Sequence, residues 1–514
     1  MHAAGMARKE PIEVNVRPLR SFLSGCHGKS CWLTLCDVGL FDMLPDDALL
    51  EIFDFCVDEN ERTKKNREAW QTLVHVCRRW RNVVFASPRR LNLQLICTDR
   101  TPARDMLDIW PALPLSIQCH VDFPMQNVDN VVAVLERSKR VRHIILKDVS
   151  SPRLETVLAA MHRPFPELRT LHLLSFNKPP PALPNSFLGG SASRLRSLRL
   201  YGIPFPSLPN LLLSATHLVD LYLINISYSG YFSPEAIATA LSRLNSLEEL
   251  RLEFQSPLSY PDRRASRRPP PPTRFVLPVL TRFWFRGVGE YLDELIARID
   301  SPRLLLFDVT FFNQNVFDTP QLIQFIGRTP MLKALKKARV IFEDDAARVK
   351  LSSRISRFGE LKVTIPCREL NRQVSSVAQV FNSCLPHLST LQDLYIYGDP
   401  LWKPDRRNNV GNTPWLELLR PFTTVKRLYL SDDFARRIVP ALQELVGGRA
   451  TEALPALRNI FLEGQQTRTS GHVQEGIRQF VAARRASHPV TISRWDRGRT
   501  RARLLMNTFR LLSH

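Results

Sequence analysis

Cysteine is scarce in this chain: nine residues in 514, an odd number, with Cys56, Cys77 and Cys97 set inside apolar patterns. That usage excludes a disulfide scaffold and points to reduced, intracellular thiols. Cys26, Cys31 and Cys36 recur every five residues, whereas zinc ligands pair about two to four residues apart, so no metal site is expected. No run reaches the ~18 apolar residues of a membrane span. Met1 to Val16 carries charge but no apolar core, which is not the pattern of a signal peptide. A cytoplasmic or nuclear location without a membrane partner is the expectation.

Catalytic motifs are missing as well. There is no Walker-type phosphate loop, no His-Glu-x-x-His pair and no Gly-x-Ser-x-Gly elbow. Gly287-Val288-Gly289 opens like a dinucleotide loop, but Leu292 stands where its third glycine belongs. A non-catalytic protein without cofactor is therefore expected. Acidic residues lag behind basic ones, 49 against 71, for a formal charge of +22. Such a surplus favours acidic partners: a protein surface, nucleic acid or a membrane face. The basic residues are dispersed, with local runs at Arg263, Arg264, Arg267 and Arg268 and from Arg484 to Arg503. Dispersion reads as solvated surface; a dedicated nucleic-acid stripe needs clustering on one face.

What the chain does have is a recurrent spacing: an apolar residue, two variable ones, an apolar residue, one variable, an apolar residue. It runs through Val141/Ile144/Leu146, Leu168/Leu171/Leu173, Leu195/Leu198/Leu200, Leu218/Leu221/Leu223 and Leu247/Leu250/Leu252. It continues through Leu280/Phe283/Phe285, Leu304/Phe307/Val309, Leu391/Leu394/Ile396, Val425/Leu428/Leu430 and Leu457/Ile460/Leu462. Phe358/Leu361/Val363 is a fair match and Leu335/Ala338/Val340 a poor one. Successive matches lie 23 to 34 residues apart, the size of a supersecondary repeat. Between them lie helix-like segments, three opened by a capping residue and proline: Ser233-Pro234, Thr319-Pro320 and Thr413-Pro414. Each unit reads as one strand plus one helix, whose apolar face only stacking can bury. The fold class is α/β, a curved leucine-rich-repeat-like solenoid with parallel strands on its concave face and helices on its convex face.

Ahead of the repeats stands a helical signal. Leu44-Pro45-Asp46-Asp47 suits a helix start, with acids at its positive end. Leu49, Ile52, Phe53 and Cys56 follow on one helical face. After a charged stretch, Asp58 to Glu68, come Trp70, Leu73, Val74, Cys77 and Trp80, again on one side. LPDDALLEIFDF (44–55) followed by WQTLVHVCRRWRNVVFASPRRL (70–91) resembles the F-box motif as it occurs in fungal F-box proteins, over about 50 residues. The charged insert between the helices is longer than in compact F-boxes. The resemblance implies a small all-helical module that docks on a Skp-type adaptor and, through it, on a cullin. By position, Leu44, Pro45, Leu49, Ile52 and Phe53 form a first contact set. Trp70, Val74, Cys77 and Trp80 form a second and partly hold the helices together. So short a motif cannot bury all its large apolar groups alone. The plainer reading makes these residues the N-terminal cap of the repeat array.

The domain order expected is a leader (1–38), the F-box (39–90) and a linker or cap (91–130). The solenoid (131–483) follows, with an exposed proline- and arginine-rich insertion at 257–273, and then a basic tail or cap (484–514). On each strand, residues between the buried apolar positions line the opposite wall. They include Tyr201, Tyr222, Trp284, Arg286, Tyr395, Tyr397, Tyr429 and Phe461, with Arg199, Arg251, Arg282 and Arg427 interspersed. Tyrosine, tryptophan and arginine carry binding energy at protein interfaces, although β-propensity alone also enriches aromatics on strands.

The F-box resemblance implies a substrate-recognition subunit of a ubiquitin ligase, with the strand wall expected to bind an unknown protein substrate. The rivals are a ligase-independent scaffold and a basic nucleic-acid binder. The last is checked by salt titration with mixed nucleic acid: tight, steeply salt-dependent binding supports it, and the expected weak association at physiological salt counts against it.

Overall fold

The protein was analysed as a computed structural model. It describes residues 44–61, 69–88, 90–91, 93–119, 127–176, 181–256, 274–312, 319–353, 359–383, 385, 388–400, 410–446, 449, 451–463, 470–484 and 489–496. The expected leader and the insertion at 257–273 lie outside them. Two compact units emerge: the first holds the described residues of 1–119 and 125–144, the second those from 145 onward.

The first unit opens with three helices, α1 (Asp46–Glu61), α2 (Ala69–Val74) and α3 (Arg78–Ala86). Asp46 and Asp47 occupy the first turn of α1, where the helix dipole favours negative charge. Cys77 caps α3, its Sγ accepting from the Trp80 amide at 3.5 Å. The stretch expected as linker or cap (91–130) contains β1 (Leu95–Cys97), α4 (Ala103–Ile109), β2 (Leu115–Cys119) and the start of α5 (Val128–Leu135). β1 and β2 pair in parallel, Leu95 opposite Leu115. β3 (Val141–Lys147) spans the division between the units.

The second unit alternates strand and helix. Its elements begin with α6 (Ser151–Ala160), β4 (Thr170–Leu174), β5 (Ser197–Tyr201), α7 (Leu208–Leu212), β6 (Asp220–Ile226), α8 (Pro234–Leu241) and β7 (Glu249–Phe254). Next come β8 (Phe275–Val276), β9 (Arg282–Gly287), α9 (Gly289–Ile296), β10 (Ile299–Asp300), β11 (Leu306–Phe311), α10 (Pro320–Arg328) and α11 (Pro330–Lys333). Then follow β12 (Lys337–Phe342), β13 (Ala346–Ser352), β14 (Glu360–Pro366), α12 (Leu370–Ser383), β15 (Asp393–Gly398) and α13 (Asn412–Leu419). The series ends with β16 (Arg427–Leu430), α14 (Asp432–Gln443), β17 (Asn459–Glu463), α15 (Ser470–Arg484) and β18 (Thr491–Trp495). β18 lies within the expected basic tail and continues the sheet.

The strand order in this unit is β4-β5-β6-β7-β9-β11-β14-β13-β12-β15-β16-β17-β18, with β8 and β10 as a separate parallel pair. The repeat spacing explains the register. The middle apolar residue of each match falls beside its neighbour's: Leu171, Leu198, Leu221, Leu250, Phe283 and Phe307 are paired in turn and buried. The same row resumes through Leu394, Leu428 and Ile460. Each such side chain removed from water contributes about 1.5–3 kcal/mol. Consecutive helices pack beside one another, α7 to α10 and α12 to α15, and touch the same face of the strands. The result is a mixed α/β architecture with a long, mostly parallel sheet.

Two expectations need correction. Residues 330–366 do not follow the one-strand, one-helix rule, because β13 runs antiparallel to both β12 and β14. Only Glu343 to Asp345 separate β12 from β13, and a parallel return needs about a dozen residues of crossover. The poor match at Ala338 is β12, which lies not beside β11 but two strands farther on. The helix expected at Thr413-Pro414 begins two residues earlier, at Asn412, with Gly411 as its N-cap. Ser233 does cap α8, accepting from the Ala236 amide at 3.1 Å.

Strand ends repeat a left-handed turn filled by residues that tolerate it: Asp148 (φ 56°), Gly202 (φ 67°) and Asn225 (φ 61°). A Cβ on Gly202 would stand 2.6 Å from the Ser175 carbonyl oxygen. Gly202→Ala is expected to destabilise the protein by about 1–3 kcal/mol, read as a lower urea midpoint.

Candidate functional site

In the first unit, burial separates the nine motif residues into two groups. Leu49, Ile52 and Phe53 on α1, Trp70 and Val74 on α2 and Trp80 on α3 are all within 3% of complete burial. Phe53 packs on Trp80 with ring centroids 4.8 Å apart. Trp70 meets Phe85 and Trp110 edge-on and donates its indole N–H to the Gln94 carbonyl at 3.2 Å. The expectation that the short motif leaves such groups uncovered is corrected here: residues 91–110 of the same unit help to seal them. Pro45 is exposed, and Leu44 and Cys77 are half-buried. The Arg79 guanidinium holds the helix start by donating to the Leu44 carbonyl and to Asp46, the latter at 2.9 Å. Arg90 pairs with Glu51. Cys56 has no described side chain.

In the second unit, helices cover one face of the sheet, and the other presents half-buried polar and aromatic residues. Strand register aligns that face into one row: His172, Arg199, Tyr222, Arg251, Trp284 and Asp308. The row goes on through Lys362, Lys350, Arg339, Tyr395, Tyr429, Phe461 and Ser493. Five of the eight residues expected on this wall therefore share a single line. Arg286, Tyr201 and Tyr397 lie two positions farther along their strands. Arg286 is exposed, while Tyr395 is 8% accessible.

Two aromatic groups occupy the row. Tyr395, Tyr429 and Phe461 stack face to face, at 4.1 Å and 9° and then at 4.4 Å and 8°. Trp495 on β18 closes on Tyr395, Tyr397 and Tyr429, with centroids 5.7–6.1 Å away. On the other side, Tyr222 meets Trp284 edge-on at 6.0 Å and carries the Arg199 guanidinium 4.3 Å above its ring. Bases stack on ring faces, and here Tyr429 has a ring on each face while Tyr222 and Tyr395 each carry a guanidinium over the ring. Stacked rings instead present their edges outward.

Charge along the row is largely paired. Glu249 accepts from the Tyr222 hydroxyl and from Arg282. Burial first, and that hydrogen bond second, push the Tyr222 phenol up to about 12. Burial and the neighbouring Glu249 raise the Asp220 carboxyl. Arg427 pairs with the buried Asp393, whose hydrogen bond raises the guanidinium further. Between the aromatic groups, Glu360 reaches both Lys350 at 2.7 Å and Lys362 at 3.1 Å, and Asp308 lies 3.4 Å from Lys362. Burial lowers Lys350. Burial alone would raise Glu360, but the hydrogen bond and charge of Lys350, with the charge of Lys362, draw it below the usual carboxylate range.

The sequence reading missed Trp495, Lys350, Lys362 and Arg339 as members of this face. The signal for Arg339 and Lys350 was a hairpin, two alternating runs separated by Glu343-Asp344-Asp345, while Lys362 stands between the apolar Leu361 and Val363 of a recognised match. Among the described residues, no helix is long and apolar enough to cross a membrane.

No family model matches the chain, and no curated protein matches it. Among solved structures, it is similar to the leucine-rich repeat-containing protein LegL7 from Legionella pneumophila, at 12% identity and a TM-score of 0.25. The match covers 76% of this chain and 97% of that one. The architecture above rests on this chain's own strands and helices, not on that distant likeness.

Glu360→Gln is expected to lower stability at pH 7 by about 1 kcal/mol, since two opposed lysines lose their shared counter-ion. A carboxylate with a depressed folded pKa stabilises above its unfolded pKa and loses that contribution as pH falls through the folded value. The difference between variant and parent in urea unfolding should therefore begin to shrink as pH falls below the ordinary glutamate value of about 4.3, and vanish only below the depressed folded value.

Proposed function

We propose that the chain is the substrate-recognition subunit of a cullin-type ubiquitin ligase, with its N-terminal helices docking on a Skp-type adaptor and its sheet face binding a protein substrate. The observation that carries this reading is the uncovered face, where register gathers tyrosine, tryptophan and arginine into one line. Those residue types dominate protein interfaces. Chemistry then occurs on another subunit, and this chain contributes proximity by raising the effective concentration of its substrate. No metal or organic cofactor enters the reading.

The adaptor half rests on the F-box resemblance of residues 44–91 and on the outward position of Pro45 and Leu44, fixed by Arg79. Docking would use that helix start and leave Leu49, Ile52 and Phe53 as the module's own core. The burial of those three favours a second reading, a ligase-independent scaffold built on the same repeats.

Co-purification of the full chain with the Skp-type adaptor separates the two. The ligase reading expects a stable complex with the parent chain and a loss of at least about tenfold in affinity for the double variant Leu44→Ala/Pro45→Ala, about 1.4 kcal/mol or more. Full retention by that variant removes the site assignment, and absence of any complex with the parent leaves the scaffold.

A further inference from the structure

Lys362, Lys350 and Arg339 are consecutive cross-strand neighbours on β14, β13 and β12. Like charges opposed across strands destabilise a sheet, and these positions face away from the apolar core. The nearby acids compensate only in part. Lys350 and Lys362 divide Glu360 between them, with Asp308 as a second, longer partner of Lys362. Among the described residues, Arg339 has no carboxylate within ion-pair distance. Its contacts are the Ser352 hydroxyl at 3.4 Å and the Tyr395 ring at 5.5 Å.

Immediately beside this cationic seam begins the stack of Tyr395, Tyr429 and Phe461, of which the last two are half-buried. Their ring planes stand across the row, so the partner meets hydrocarbon edges and phenol oxygens. From β14 to β17 the row crosses five inter-strand gaps, about 24 Å, which about seven extended residues would cover.

We infer that this stretch of the face takes an extended acidic segment of a partner protein lying across the strands. Its carboxylates meet Lys362 and Lys350, with Arg339, only 9% accessible, adding its charge from beneath, and an apolar side chain rests on the edges of Tyr429 and Phe461. The inference rests on reading the uncovered face as the partner-binding one. The net charge of +22 adds a long-range attraction for such a segment. Nucleic acid is the poorer fit, because the faces of Tyr395 and Tyr429 that bases would need are occupied by neighbouring rings and by Arg339.

The test selects peptides from a random library displayed on phage, using the purified full chain. Binding is then remeasured with Tyr429→Ala and with Arg339→Gln/Lys350→Gln, each checked for folding by thermal unfolding. The expected peptides are rich in Asp and Glu and bind the double variant about tenfold more weakly. If that variant does not fold, the parent decides: acidic peptides should bind about tenfold more weakly as salt rises from about 50 to about 300 mM. Neutral or basic peptides that depend on Tyr429 would overturn the acidic assignment and leave the binding face standing. Selected peptides indifferent to both variants would remove the face itself. A single-stranded oligonucleotide that binds more tightly than the best peptide, and loses affinity in the double variant, would reassign the face to nucleic acid.

Discussion

The structure depends on one constraint: a strand–helix unit of about 30 residues has too little interior to bury its own apolar face. Burial becomes possible only when the next unit sets its strand in register beside it. Leu198, Leu221, Leu250 and Phe283 meet this constraint by lying side by side, each fully or almost fully buried. Registration of the buried row then orders the opposite face automatically, because residues on a strand alternate between faces. The alignment of tyrosines, tryptophan and cations on the open side is thus a geometric by-product of core packing, available for recognition.

Much of this was legible in the sequence because the core obeys a period. The apolar triplets located β3 to β7, β9, β11 and β15 to β17, and the residues between them located the open wall. The hairpin was harder. Leu335/Ala338/Val340 fits the triplet poorly because β12 is not laid down next to β11 and takes its neighbours from β13 and β15. Strand order is a property of tertiary pairing, and no local spacing encodes it. Trp495 escaped for a related reason: its strand lies in a basic stretch whose side chains are mostly exposed, so the hydrophobic signal is faint.

In the helical module, sequence pattern identified the apolar face but not what covers it. A stripe such as Leu49, Ile52 and Phe53 looks the same whether it meets a partner or the chain's own next segment. Phe53 is covered by Trp80, 27 positions away, and Trp70 by Trp110, 40 positions away. The same ambiguity does not touch Pro45, which has no helical face to hide in and stays outside.

The reversed hairpin has a consequence for how such an array can change length. With β13 and β12 lying between β14 and β15, the connection through α12 must traverse three strand spacings, about 14 Å. At 14 residues, α12 spans about 21 Å and is long enough for that reach. Ordinary repeats on either side can be gained or lost singly, since each joins strands that are immediate neighbours in the sheet. The antiparallel segment can enter or leave only whole, because deleting one of its strands would strand a long helix over a gap it no longer needs to bridge.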